Sequence, residues 1–167
     1  MLHLDAEIDA LAHEIIAAAR ARGLRIVTAE SLTGGLIVGA LTCVPGASNV
    51  VDRAFITYSF ASKSQMLGVP ARLVERCQAV SEEVARAMAV GALARSEPHA
   101  QLAVAVTGVA GPGDLDAARP EGLVHLAVAR ADGEVLHREA RFGPRGRDAV
   151  RAATVHAALE LLRAALP

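Results

Sequence analysis

Aromatic side chains are nearly missing from this 167-residue chain, which has no Trp, one Tyr and three Phe. Together with a formal charge of −1, that scarcity denies it both a stacking platform and a basic field, so nucleic-acid binding is disfavoured. Cysteine is limited to Cys43 and Cys77, which lie in apolar or helical surroundings without a C-x-x-C partner, so free buried thiols are expected. The six histidines form no H-E-x-x-H or other close pair, and no metal or other cofactor is expected. No apolar run approaches the roughly 20 residues that span a bilayer, so no membrane segment is expected. Asp5, Glu7, Asp9 and Glu14 give the first residues the wrong charge for a targeting peptide, which points to a cytoplasmic protein. Lysine is the scarcest charged residue: the 17 basic residues include a single Lys, Lys63. Arginine stays protonated, whereas a desolvated lysine can lose its proton and act as a base, so Lys63 is either a functional residue or a survivor of Arg-rich codon usage.

The length suits one domain, here residues 1–167, able to bury a core without disulfides. Apolar spacing predicts a helix over Leu4 to Arg22, ended by Gly23, and a short strand from Leu24 to Ala29. The small-residue turn Ser31 to Gly35 leads into a buried helix, Leu36 to Val44. A further helical turn is expected at Ala47 to Arg53, a strand at Phe55 to Tyr58, and helices from Ala61 to Leu67 and after Pro70. Ser81, Glu82 and Glu83 form a helix start, with the helix running to about Arg95. Leu102 to Val106 is apolar throughout, as in a strand covered on both faces. Leu123 to Arg130 and Glu134 to Phe142 flank Ala131-Asp132-Gly133 as a hairpin, and Gly146 to Leu166 is the last helix. Strands alternating with helices, plus one late hairpin, predict an α/β fold: a mixed sheet between helical layers.

Two strand ends run into Gly-rich turns, Thr28 to Gly35 and Thr107 to Gly113, and in an open α/β sheet such turns face one ligand crevice. Ser31 stands where a strand passes into a helix, and the N–H groups of Thr33, Gly34 and Gly35 at that helix start could hold an oxyanion or a phosphate. Ser and Thr at this place also serve as plain helix caps. The turns have neither Walker nor dinucleotide-binding spacing, there is no G-x-S-x-G elbow, and Phe60 breaks an S-x-x-K match. Any Ser–Lys pair must therefore be assembled from two segments.

Four motifs carry a resemblance: T-A-E-S-L-T-G-G at Thr28 to Gly35, V-P-G-A-S at Val44 to Ser48, T-Y-S-x-x-x-K at Thr57 to Lys63, and T-G-V-A-G-P-G at Thr107 to Gly113. Together, in order and across nearly the whole chain, they resemble the CinA C-terminal domain family, which includes stand-alone nicotinamide-nucleotide amidases. The resemblance implies a three-layer α/β/α sandwich and a metal-independent Ser–Lys hydrolase that deamidates nicotinamide mononucleotide. Ser31 would be the nucleophile and Lys63 the base. Tyr58 would orient Lys63 or the substrate, or else be a core aromatic. Glu30 would help fix the site or be an ordinary exposed acid. For the substrate phosphate the candidates are the backbone of Thr107, Gly108 and Gly111 and the side chains of Arg147 and Arg151, whose alternative is a solvated helix face.

The chain departs from the family pattern at Phe60, Ala61 and Ser62, where Asn, Glu and Ala are usual, at Asp114 and Leu115, where glycines are common, and at Glu121, where an apolar residue is usual. These departures leave open a non-catalytic nucleotide-binding module and an amidase for a different nucleotide amide. A regulatory role in competence or DNA damage has little support from a neutral surface. The expected partner is a small-molecule nucleotide, and the Ala- and Leu-rich last helix leaves room for a homodimer.

Overall fold

The structure, a computed structural model, describes residues 5–167; the start of the predicted first helix, at Leu4, lies outside the described residues. The first helix, α1 (Ala6–Ala21), is capped by Asp5, whose carboxylate accepts from the Glu7 N–H, and its apolar stripe from Ile8 to Ala19 is buried. There follow β1 (Ile26–Glu30), α2 (Leu36–Thr42), β2 (Val51–Ile56), α3 (Phe60–Leu67), α4 (Ala71–Arg76), α5 (Glu82–Ala94), β3 (Leu102–Gly108), β4 (Leu123–Arg130), β5 (Val135–Arg141) and α6 (Arg147–Ala165). Ser81 caps α5 as expected, its hydroxyl accepting from the Val84 N–H.

Three expectations about the elements are corrected. The strand expected at Phe55 to Tyr58 runs instead from Val51 to Ile56, so that Thr57 and Tyr58 follow it rather than belong to it. Of the helical turn expected at Ala47 to Arg53, only a 3₁₀ turn at Ala47–Asn49 forms, because Val51 onward pairs with β1 and the tertiary ladder overrides local preference. Cys43 is exposed rather than buried, since it caps the C-terminal end of α2 at the surface, while Cys77 is half-buried; both thiols are free.

The five strands lie in the order β2-β1-β3-β4-β5, with β2, β1 and β3 parallel and β4 and β5 antiparallel additions. Alternation along β1, β3 and β4 feeds two cores. One face carries Ile26, Leu102, Val104 and Val106 against α1, α2 and α6. The other carries the small residues Ala29, Ala103, Ala105, Ala127 and Ala129, which let α5 settle close to the sheet. A close approach also explains Gly91 in α5: a Cβ there would lie 2.0 Å from the Leu67 carbonyl oxygen at the end of α3. The result is the three-layer α/β/α arrangement. Because β2, β1 and β3 run parallel, their carboxyl ends open on the same edge of the sheet, where a ligand crevice forms in such folds.

Candidate active site

Each of the three parallel strands delivers one wall of a cavity of about 360 Å³. Ser31 and Leu32 follow β1, Tyr58, Phe60 and Lys63 follow β2, and Thr107 to Leu115 continue β3. The two Gly-rich turns therefore do meet. A fourth wall, Gln78 to Val80, precedes α5. There Gln78 and Ala79 adopt left-handed backbone angles, φ 47° and 61°, held by hydrogen bonds from Thr107 Oγ1 to the Ala79 carbonyl (2.6 Å) and from Arg119 Nη1 to the Cys77 carbonyl (2.9 Å). The sequence offers no Gly or Asn to betray this wall.

Lys63 sits one turn inside α3, whose start is capped by Ser59 accepting from the Ser62 N–H. A long helical side chain leans back toward the helix N-terminus, so the amine drops under the first turn and out of solvent. Only 1% of Lys63 is exposed. Its Nζ donates to the Thr57 carbonyl at 2.6 Å and lies 2.9 Å from Ser31 Oγ. Burial pushes its pKa down from 10.5 to about 8. An amine in this state can donate to Thr57 while its lone pair faces the Ser31 hydroxyl, the geometry a general base needs.

Glu30 is fully buried, not an exposed acid. Its carboxylate accepts from the Gly35, Ile37 and Val38 N–H groups at 2.9 to 3.1 Å and from the Thr33 and Thr28 hydroxyls. The chain's own carboxylate thus fills the anion site at the start of α2. This corrects the expectation for Thr33, Gly34 and Gly35: the Thr33 hydroxyl and the Gly35 N–H serve Glu30, the Gly34 N–H donates to the Ser31 carbonyl at 3.1 Å, and none of the three lines the cavity. Glu30 and α2 fix the turn on which Ser31 stands.

The two arginines of α6 part company. Arg147 lines the cavity and donates to the Gly111 carbonyl (3.0 Å) and to the Tyr58 hydroxyl (2.6 Å). Arg151 instead turns to the nucleophile turn, with Nε donating to the Leu32 carbonyl (3.0 Å) and Nη2 to the Thr33 carbonyl (3.2 Å), and, unlike Arg147, it does not line the cavity, which takes it out of the phosphate-binding candidates. Tyr58 is 61% exposed on the rim beside Arg147, which rules out a core role. Thr107, Gly108 and Gly111 all line the cavity. Gly108 has a packing reason as well, since a Cβ there would lie 2.6 Å from the Leu123 carbonyl. Thr57, whose carbonyl anchors the amine, escaped the sequence reading because a backbone acceptor leaves no residue-type signal.

A family model, CinA C-terminal domain, matches residues 8–166. A CinA-like protein of Anaeromyxobacter sp. (strain K) is 45% identical over 158 residues, covering 95% of this chain and 38% of that protein. This chain thus spans well under half the length of the curated relatives it matches. Among solved structures, the competence/damage inducible protein CihA from Agrobacterium tumefaciens is 51% identical with a TM-score of 0.94, each chain being 98% covered. A CinA superfamily protein from Klebsiella pneumoniae is 31% identical with a TM-score of 0.88, covering 95% of this chain and 97% of the other. The chain belongs to the CinA C-terminal domain family.

Proposed function

We propose that this cavity hydrolyses the carboxamide of nicotinamide mononucleotide to a carboxylate, releasing ammonia, through a Ser31–Lys63 pair. The observation that carries the proposal is the buried amine 2.9 Å from the Ser31 hydroxyl, with burial holding it partly neutral near physiological pH. Neutral Lys63 takes the hydroxyl proton as Ser31 Oγ attacks the carboxamide carbon. The tetrahedral oxyanion collapses, Lys63 returns the proton to the nitrogen, and ammonia leaves an acyl-Ser31 ester. Water, deprotonated by the same amine, then cleaves the ester and restores the hydroxyl. Since Glu30 and the Ser31 carbonyl occupy the Gly35 and Gly34 amides, we assign the oxyanion to the Leu32 N–H, next to the nucleophile on the cavity wall. Arg147 uses two of its five N–H donors within the protein, which leaves others for a substrate phosphate. Tyr58 orients that guanidinium.

A second reading, an amidase for a different nucleotide amide, is favoured by Phe60 and Leu115, two exposed apolar side chains on the cavity wall. Ammonia release from nicotinamide mononucleotide and from related amides decides between them. The first reading requires turnover of the mononucleotide that disappears in both Ser31→Ala and Lys63→Ala. Turnover of another amide alone selects the second, and nucleotide binding without ammonia release contradicts both.

A further inference from the structure

We infer that Glu121 is a positioning residue that holds Arg147 at the cavity mouth. Glu121 is 8% exposed and lies outside the cavity wall, yet its carboxylate ties together the two turns that frame it. One oxygen accepts from the Gly113 N–H at 2.6 Å and the other from the Gly146 N–H at 2.9 Å. Asp114 completes the arrangement, its Oδ1 accepting from the Glu121 N–H at 2.7 Å. The chain at Gly111 wraps directly over the carboxylate: a Cβ there would lie 2.4 Å from Glu121 Cδ.

Arg147 is the residue after Gly146, and its Nη1 closes the ring by donating to the Gly111 carbonyl. Gly111, Gly113, Glu121, Gly146 and Arg147 thus form one circuit in which the carboxylate accepts a hydrogen bond from each of the two turns. Two charge-assisted bonds to backbone amides make such a tie stiff. Asp114 and Glu121 stand at two of the positions where this chain departs from the pattern its motifs resemble, and they contact each other. The departures form one device. The nearest step to the reacting atoms is through Arg147, so Glu121 acts on how firmly the substrate is held rather than on Ser31 or Lys63.

The kinetic part rests on the amidase reading, so the test has two arms. Ammonia release from nicotinamide mononucleotide is measured for wild type, Glu121→Gln, Arg147→Ala and the double variant. Gln keeps the shape but sets an amide N–H against one of the backbone N–H groups. The expected result is a KM raised about tenfold in Glu121→Gln with kcat within about twofold, and no further rise in KM when the change is added to Arg147→Ala. A fall in kcat at constant KM, or effects that multiply in the double variant, would overturn the inference. The second arm uses no substrate: amide resonances of Gly113 and Gly146 are expected to move, and the Arg147 guanidinium protons to lose exchange protection, in Glu121→Gln. Unchanged Arg147 protons overturn the inference even in an active enzyme. If wild type releases no ammonia, the amidase reading falls while this arm still decides the role of Glu121.

Discussion

On the proposed amidase reading, a single buried amine sets the pH dependence of turnover. With the Lys63 pKa lowered from 10.5 to about 8, burial disfavours the charged form by about 3 kcal/mol, at about 1.4 kcal/mol per unit. At about pH 7 roughly one Lys63 in ten is then neutral, against fewer than one in a thousand at the ordinary value, and at about pH 9 roughly nine in ten are. If the neutral amine is the base, kcat/KM measured by ammonia release rises about tenfold between pH 7 and pH 9 with an apparent pKa near 8. Lys63→Arg, which stays charged throughout, is expected to be inactive across the range. A wild-type profile flat from pH 7 to 9, or an active Lys63→Arg, would refute the argument.

Further outcomes follow from the support around this pair. Glu30→Gln removes the charge that holds five donors, four of them around the start of α2, and urea denaturation should show a loss of about 3 kcal/mol together with reduced turnover. Gly91→Ala drives a Cβ into the Leu67 carbonyl; displacing the end of α3 is expected to lower stability by about 1 to 3 kcal/mol in the same assay and to lower kcat as Lys63 moves. His125 Nδ1 and His137 Nε2 lie 3.1 Å apart, and burial chiefly lowers the pKa of both rings. Above the unfolded value of about 6.5 both are neutral in either state. Below it the unfolded chain takes up protons that the folded pair resists, so stability is lost as pH falls through the lowered folded values. Melts between about pH 7 and pH 5 should show this decline, and it should shrink in His125→Leu.

Much of this was legible in the sequence, for physical reasons that differ by element. The all-apolar Leu102 to Val106 and the hairpin around Asp132-Gly133 declared themselves because burial on both faces and a tight turn each restrict residue type. β2 was only half visible: Val51-Asp52-Arg53 alternates too weakly to distinguish it from a helical turn, and only its pairing with β1 makes it a strand. Within the site, the motif and the solitary lysine mark Ser31 and Lys63 as candidates, and the structure puts their side chains 2.9 Å apart. The misplacements at Thr33, Gly34, Gly35 and Arg151 share one cause. Spacing shows that polar donors are near a site, but not that the Glu30 carboxylate already takes the Thr33 hydroxyl and the Gly35 N–H, the Ser31 carbonyl the Gly34 N–H, and the Leu32 and Thr33 carbonyls the Arg151 guanidinium.

The central claim, that a neutral Lys63 activates Ser31, is tested most directly by intact-mass measurement of reaction with a fluorophosphonate, which labels only an activated hydroxyl. The expected result is one adduct, mapped to Ser31, forming faster as pH rises through about 8 and not forming in Lys63→Met. Labelling of Lys63→Met at the wild-type rate, or none of the wild-type protein, would contradict it.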